Sequence, residues 1–249
     1  MTGRVAIRQV WPTPGRAEPL DETTLAGLYG RPGPTNLRVN FVTSLDGAVE
    51  VAGYSAGLSG EPDKRVFGLL RMLCDGLLVA AGTLRHEGYR ALRLDARRRD
   101  WRRANGLPEQ PTLVVVSRSL RLDPAAPVLA EAPVRPLVLT TTDAVAPPGL
   151  AEVAELLRYG DAEVDLTAGV AELRRRGLAQ LLCEGGPLLF GALTAADLVD
   201  ELCLTVSPLL AGAGAGRIAA GPGSAPRGMV LRHVLAADDG VLMLRHPRT

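Results

Sequence analysis

Residues 181–193 read LLCEGGPLLFGAL, and the parsing of this stretch decides the fold. An apolar run closes on Glu184, turns through Gly185 and Gly186, and restarts behind Pro187 as a second apolar run. Proline is favoured in the first turn of a helix, where its missing N–H costs nothing. The stretch therefore reads as buried strand, tight turn, helix. A helix started in this way leaves N–H groups unsatisfied and carries a partial positive charge at its N-terminus. Two glycines beside it remove the Cβ atoms that would hold a ligand off, so the turn suits a phosphate or pyrophosphate. It also suits a purely structural turn. No Lys-Ser/Thr of a Walker loop follows, and the G-x-G-x-x-G fingerprint is incomplete.

Strands and helices alternate outward from this unit. Toward the N-terminus, AQLLCE (179–184) is preceded by a helix near 167–176, a helix near 149–157, and the strands PLVLTT (136–141) and TLVVVS (112–117). Before these come GLLVAA (76–81), a strand closed by Gly82 and Thr83, and a helix over 61–74 with Val66, Leu69, Leu70 and Leu73 on one face. The strand LRVNFVT, from Leu37, ends in the turn SLDG. Residues 95–106, DARRRDWRRANG, form a charge run read as a solvated helix or loop. Residues 1–36 are broken by Pro12, Pro14, Pro19, Pro32 and Pro34 and read as an arm, with a short helix at 21–29 capped by Asp21. Toward the C-terminus, helix 187–195 precedes a strand in VDELCLTVSPLL (199–210) and a Gly/Ala surface loop at 211–228. MVLRHVLAA and GVLMLRH close the chain as an antiparallel pair turned at 238–240. The pattern predicts an α/β domain over 37–249, its sheet mostly parallel, covered by helices on both faces and antiparallel at the C-terminal edge.

Composition narrows the function classes. The 249 residues are 47% hydrophobic and 22% charged, which suits one large domain. A formal charge of +1 points to neither nucleic acid nor an anionic membrane as partner. No apolar run is long enough to span a bilayer, and the N-terminus has no signal-peptide core, so a cytoplasmic location is expected. Cys74, Cys183 and Cys203 stand alone in apolar stretches and read as small buried hydrophobes. No His or Cys spacing suits a metal. Of the 28 Lys and Arg residues, Lys64 is the single lysine.

Open α/β sheets bind ligands outside the carboxyl ends of their strands. Besides the diglycine turn, three such ends carry small or polar residues. Gly82 and Thr83 follow one strand, and Ser117 and Arg118 follow another. An arginine there suits the extra phosphate of NADP. Asn40, Thr43, Ser44 and Asp46 surround the end of the third. Asp46 also fits a turn cap before Gly47, and a buried Asn40 would need a partner. Together the ends make a dinucleotide pocket the working expectation.

NFVTSLDG, LLVAAGT with HEGY, VVVSRSL, LLCEGGPLLFGAL and LVDELCLTVSPLLAG stand in an order and spacing that resemble the pyrimidine reductase family. This is the C-terminal reductase domain of the riboflavin-biosynthesis deaminase–reductase. The resemblance covers about residues 36–246. It implies a dihydrofolate reductase-like fold, a homodimer paired through late strands, and NADPH-dependent reduction of a 5-amino-6-(ribosylamino)pyrimidinedione 5′-phosphate to its ribitylamino product. By position it implies cofactor roles for Thr43, Gly82, Thr83, Glu87, Ser117, Arg118 and the run from Gly185 to Gly191, including Gly186, Pro187, Leu188 and Leu189. Asn40, Ser55, Arg71, Leu92, Arg93 and Glu184 would meet the substrate, with Arg93 on its phosphate. Glu184 and Asp46 are the candidate catalytic carboxylates. The chain departs from the family pattern where Ser55 is followed by Ala56-Gly57 and where Glu87-Gly88-Tyr89 replaces Asp-x-Pro. No H-x-E with P-C-x-x-C occurs, so a separate deaminase is expected in the pathway. Two other readings remain open: a reductase of the same fold for dihydrofolate or another pteridine or pyrimidine, and a non-catalytic NADP-binding protein. The missing G-x-G-x-x-G after an early strand argues against a Rossmann oxidoreductase.

Overall fold

In the run GLLVA, Leu77 and Val79 enter one hydrophobic core and Leu78 the opposite one, all three fully buried. Successive side chains of a strand point to opposite faces, so such a run needs cover on both. That requirement organises the molecule. The computed structural model describes residues 5–13, 15 and 18–249; Pro14, one of the breaks read in the arm, lies outside them. In chain order the elements are β1 (Ile7–Trp11), α1 (Glu22–Tyr29), β2 (Asn36–Thr43), α2 (Glu61–Leu73), β3 (Gly76–Ala80), α3 (Ala81–His86), α4 (Ala96–Ala104) and β4 (Thr112–Val116). They continue with α5 (Pro127–Ala130), β5 (Leu137–Thr140), α6 (Leu150–Val153), β6 (Glu155–Arg158), α7 (Leu166–Arg175) and β7 (Gln180–Cys183). The last four are α8 (Pro187–Ala195), β8 (Glu201–Val206), β9 (His233–Ala237) and β10 (Leu242–Pro247).

The strands form one ten-stranded sheet in the order β1-β9-β10-β8-β2-β7-β3-β4-β5-β6. Every pair from β8 to β6 is parallel, and β10, β9 and β1 extend the other edge in antiparallel fashion. One face packs under α1 and α2, through Leu25, Tyr29, Val66, Leu69 and Leu73. The other packs under α7 and α8, through Val170, Leu173, Leu189, Phe190 and Leu193. The expected α/β class, with its mostly parallel sheet, flanking helices and antiparallel edge, is the fold observed.

Three details differ from the sequence reading. The segment read as a helix near 149–157 is one helical turn, α6, followed by β6, whose Leu156 pairs in register with Val138. Local propensity favoured a helix there, but the open edge of β5 outweighs it by supplying ladder hydrogen bonds. The stretch read as an arm supplies β1, which pairs with β9 from Ile7↔Ala237, a partner too far along the chain to be anticipated. It also supplies α1, where Asp21 caps the helix by accepting from the Thr24 N–H at 2.7 Å. The charge run is α4, capped by Asp95. It is not solvated throughout: Arg102 is 1% exposed and donates to the carbonyls of Met72 (2.8 Å) and Cys74, closing the C-terminal end of α2.

Candidate active site

The carboxyl ends of β2, β3 and β7 converge on one side of the sheet, and α2 walls the space they leave. The cavity there has a volume of about 750 Å³, enough for a small ligand with part of a dinucleotide. Its geometry follows from the turns that end the strands. β3 passes directly into α3, so Gly82 and Thr83 sit in the first turn of a helix rather than in a loop. β7 passes through Glu184, Gly185 and Gly186 into α8, with Pro187 at its first position. The Gly185–Gly186 peptide is cis and Gly185 has φ +106°, a region that favours glycine. A Cβ on Gly186 would drive into the Thr83 hydroxyl, and one on Gly185 would lie 3.3 Å from the Phe41 ring. The diglycine therefore lets α3 and β2 close against the β7–α8 turn.

Glu184 reaches the cavity with its side chain 1% exposed. Arg71, from the last turns of α2, meets it in a two-pronged pair: Nε to Oε1 at 2.8 Å and Nη2 to Oε2 at 2.6 Å. Tyr89 donates its hydroxyl to the same Oε2 at 3.2 Å. The Arg71 guanidinium lies over the Phe67 ring at 4.2 Å, and Tyr89 flanks it at 5.5 Å. Burial alone would lower the affinity of Arg71 for its proton, but the charge and hydrogen bonds of Glu184 hold it above its ordinary range. Burial, then the Glu184 charge, pushes the Tyr89 phenol well above its usual value, so it keeps its proton. This end of the cavity offers one fixed carboxylate, one fixed guanidinium and one protonated phenol. Asn40, 7% exposed, lines the same space, and its amide has no hydrogen-bond partner among the described residues.

The cavity brings together most of the residues singled out in the sequence. Asn40, Ser55, Arg71 and Glu184, all expected to meet the substrate, line it. Gly82, Thr83 and Glu87 line it from α3 and the residue after it, with the Glu87 carboxylate accepting the Ser55 N–H at 3.2 Å. Gly186, Pro187, Leu188 and Leu189 line it from the start of α8. No side chain caps that helix.

Other candidates stand outside it. Leu92 is packed in the core. Arg93 points away, donating to the Glu131 carbonyl at 2.5 Å. Asp46 is exposed and accepts from the Ser44 hydroxyl and from the N–H groups of Ala211 (3.1 Å) and Gly212 (2.8 Å). These bonds, the serine first, hold its carboxyl down at about 2. It anchors the 211–228 loop, and a group so acidic has no proton to give near neutrality. Thr43 is buried at the end of β2, its carbonyl accepting from Ser207 N–H at 2.7 Å. Gly185 turns its carbonyl to the Ala80 N–H at 2.9 Å. Ser117 is buried beyond β4, and Arg118 next to it is exposed and paired with Glu163 at 2.7 Å. Gly191, at the end of the run assigned to phosphate, faces the backbone of Ala220 instead.

Sequence reasoning did not single out Phe67 and Arg90 as site residues, and it noted Lys64 only as the sole lysine. All three line the cavity. For the two on α2 a signal existed: Lys64, Phe67 and Arg71 are spaced i, i+3, i+7, which is one helical face. The three cysteines are free and buried, and burial pushes each thiol up to about 12. No group of three His, Cys, Asp or Glu suited to a metal ion occurs among the described residues, and no helix there is long and apolar enough to cross a membrane.

The family model of the RibD C-terminal domain matches residues 35–243. A 2,5-diamino-6-ribosylamino-4(3H)-pyrimidinone 5′-phosphate reductase of Archaeoglobus fulgidus is 30% identical over 179 residues, which is 70% of this chain and 80% of that protein. Among solved structures, a pyrimidine reductase-like protein of Corynebacterium diphtheriae has a TM-score of 0.80 at 23% identity, over 91% of this chain and 98% of that one. A riboflavin biosynthesis reductase of Saccharomyces cerevisiae has a TM-score of 0.66 at 15% identity, over 92% and 100%. These two share the fold.

Proposed function

The chain belongs to the RibD C-terminal domain family, a family of pyrimidine reductases, and on that premise we propose that it reduces a 6-ribosylaminopyrimidine 5′-phosphate to the ribitylamino compound with NADPH. The observation that carries the proposal is the Arg71–Glu184–Tyr89 cluster inside a cavity bordered by an uncapped helix start. The name of the archaeal relative specifies the 2-amino form of the ring, which differs from the dione expected from sequence by an amino group in place of the C2 oxygen. The diamino compound is thus the first substrate to assay and the dione the second.

The residues present fit a dinucleotide. At the start of α8 the N–H groups of Leu188 and Leu189 lie ahead of the first intrahelical bond, from Phe190 N–H to the Gly186 carbonyl. They would hold phosphate oxygens, with the helix dipole and Gly82–Thr83 beside them. Bound there, dihydronicotinamide supplies a hydride. Arg118, at the end of β4, would take the 2′-phosphate by leaving Glu163. On the substrate side, Glu184 is held by Arg71 in one orientation and accepts from ring N–H groups. Asn40 supplies an amide free to pair with the ring. Tyr89 keeps a proton at Oη, within reach of the Glu184 carboxylate, and replaces Glu184 and Asp46 as the proton-bearing group. Phe41, Phe67 and Ala91 keep the walls dry.

Two further readings belong with this one. The antiparallel edge leaves Leu204, Val206, Leu242 and Leu244 on an uncovered face, where we place a second copy of the chain. We also place the enzyme in the cytoplasm, with the deamination step carried out by a separate enzyme. The deciding experiment follows NADPH oxidation by the purified chain with the diamino compound, the dione and dihydrofolate. Oxidation with either ribosylaminopyrimidine is expected, with preference for NADPH over NADH that falls at least about tenfold in Arg118→Ala. Oxidation with dihydrofolate alone assigns the chain to the pteridine alternative. Retention of NADPH without oxidation by any of the three makes it a binding protein.

A further inference from the structure

Asp46 and Gly191 both stand outside the cavity, and both hold the same loop. Asp46, in the turn after β2, accepts from the N–H groups of Ala211 (3.1 Å) and Gly212 (2.8 Å), where the Gly/Ala loop begins. Farther along, Ala220 lies on α8. Its N–H donates to the Pro187 carbonyl at 3.0 Å, and its own carbonyl oxygen occupies the space that a Cβ on Gly191 would need. Between these two seats the loop follows the rim of the cavity. A Cβ on Gly216 would lie 3.9 Å from a methyl of Val49, and one on Gly221 3.9 Å from a methyl of Leu188. Val49, Pro187 and Leu188 all line the cavity. Ile218 and Ala219 are half-buried and pack against the cluster that holds Leu189 and Phe190. Residues 213–217 are held more loosely, with no hydrogen bond to the rest of the protein among the described residues. Arg217 is the single charged residue in 211–221; it is exposed and has no acidic partner among the described residues.

We infer that residues 211–221 form a strap across the cofactor end of the cavity, anchored by Asp46 and seated on Gly191, which closes on the bound dinucleotide, brings Arg217 to its phosphates and slows its release. The inference rests on the cofactor reading above and deepens it. Asp46 and Gly191 act as positioning residues. Asp46 fixes where the strap starts. Gly191 lets it sit low on α8, because any side chain there lifts Ala220 away from the helix start where the Leu188 and Leu189 N–H groups would meet phosphate. A dinucleotide is a polyanion, and a strap with one cation and no anion complements it. A stretch with few bonds to give up can close on a ligand at the cost of its chain entropy alone. The gain then appears mainly as a slower dissociation.

Hydrogen exchange of the full chain, read by mass spectrometry, follows the strap directly. NADPH is expected to slow exchange of the 213–217 amides at least about fivefold, while the ribosylaminopyrimidine alone leaves it unchanged. Stopped-flow displacement gives the rate at which NADPH leaves. Gly191→Ala should raise that rate about tenfold, and α8 itself is not weakened because alanine is the better helix former. Arg217→Gln has no partner to lose and should raise it at least about threefold with the melting temperature unchanged. Titration of the pyrimidine alone should give a Kd within about twofold of wild type in both variants. NADPH binding with unprotected strap amides, or with unchanged dissociation in both variants, overturns the strap and leaves the cofactor reading standing. Protection by the pyrimidine alone also overturns it, because the strap would then close on the substrate. Failure of the wild-type chain to bind NADPH overturns both.

Discussion

In the proposed reduction Glu184 is the residue on which the chemistry turns, because both its oxygens are fixed in place. Arg71 takes them in a two-pronged pair and Tyr89 adds a third hydrogen bond. Glu184→Gln replaces one acceptor with an NH2 group that faces the Arg71 donors. The guanidinium then keeps a buried, half-satisfied charge, and the ring loses its fixed acceptor. We expect kcat to fall at least about tenfold, while NADPH binding, measured by titration, changes less than about twofold. Unchanged turnover would remove Glu184 from the site. Tyr89→Phe removes the hydroxyl and its hydrogen bond to Glu184 while the two-pronged Arg71 pair still holds the carboxylate, and a loss of kcat larger than any change in KM is expected. Both carboxylates looked alike in the sequence as acid residues beside glycine turns. Three hydrogen bonds from its surroundings make Asp46 a loop anchor, and its partners Ala211 and Gly212 lie far along the chain.

At the scale of elements, the diglycine turn is a packing joint between α3 and α8, whatever ligand it borders. Thr83 sits where a Cβ on Gly186 would be. Gly186→Ala should therefore destabilise the protein by about 1–3 kcal/mol, read from urea unfolding. Adding Thr83→Ala should recover most of that loss, since the hydroxyl is the atom in the way. Additive losses would show that the strain lies elsewhere in the turn. This joint was half legible: strand, Gly-Gly, Pro and helix are local signals, and α8 begins at the expected Pro187. That the glycines admit Thr83 and Phe41 was not legible, because both neighbours come from other strand ends. The same limit explains β6. Its sequence fits a helix well enough, and only the free edge of β5 makes it a strand.

At the scale of the whole molecule, the sheet is covered unevenly. α7 and α8 end over the parallel strands, while β8, β9 and β10 alternate buried and half-exposed residues. Cross-strand partners Leu204 and Leu244, and Val206 and Leu242, stand on one open apolar face. Contiguous patches of this kind mark protein contacts. Light scattering should find a dimer for the wild-type chain and a monomer for Leu204→Asp, because a carboxylate on that face cannot be buried unpaired. A wild-type monomer at micromolar concentration would refute the pairing. Beneath the opposite face, Arg38 and Arg245 share Glu201, which fixes three strands of this edge around one buried charge cluster. By itself the sequence determined the class of the fold, the strand-to-helix turns and the residue types at the strand ends, because periodicity, proline and glycine act through neighbours a few residues away. Only the tertiary structure decided which of those residues share a cavity, which carboxylate faces that cavity, and that Lys64 lines it while Arg93 does not. Those outcomes depend on the register of strands distant in the chain, and register is set by long-range pairing that no local pattern encodes.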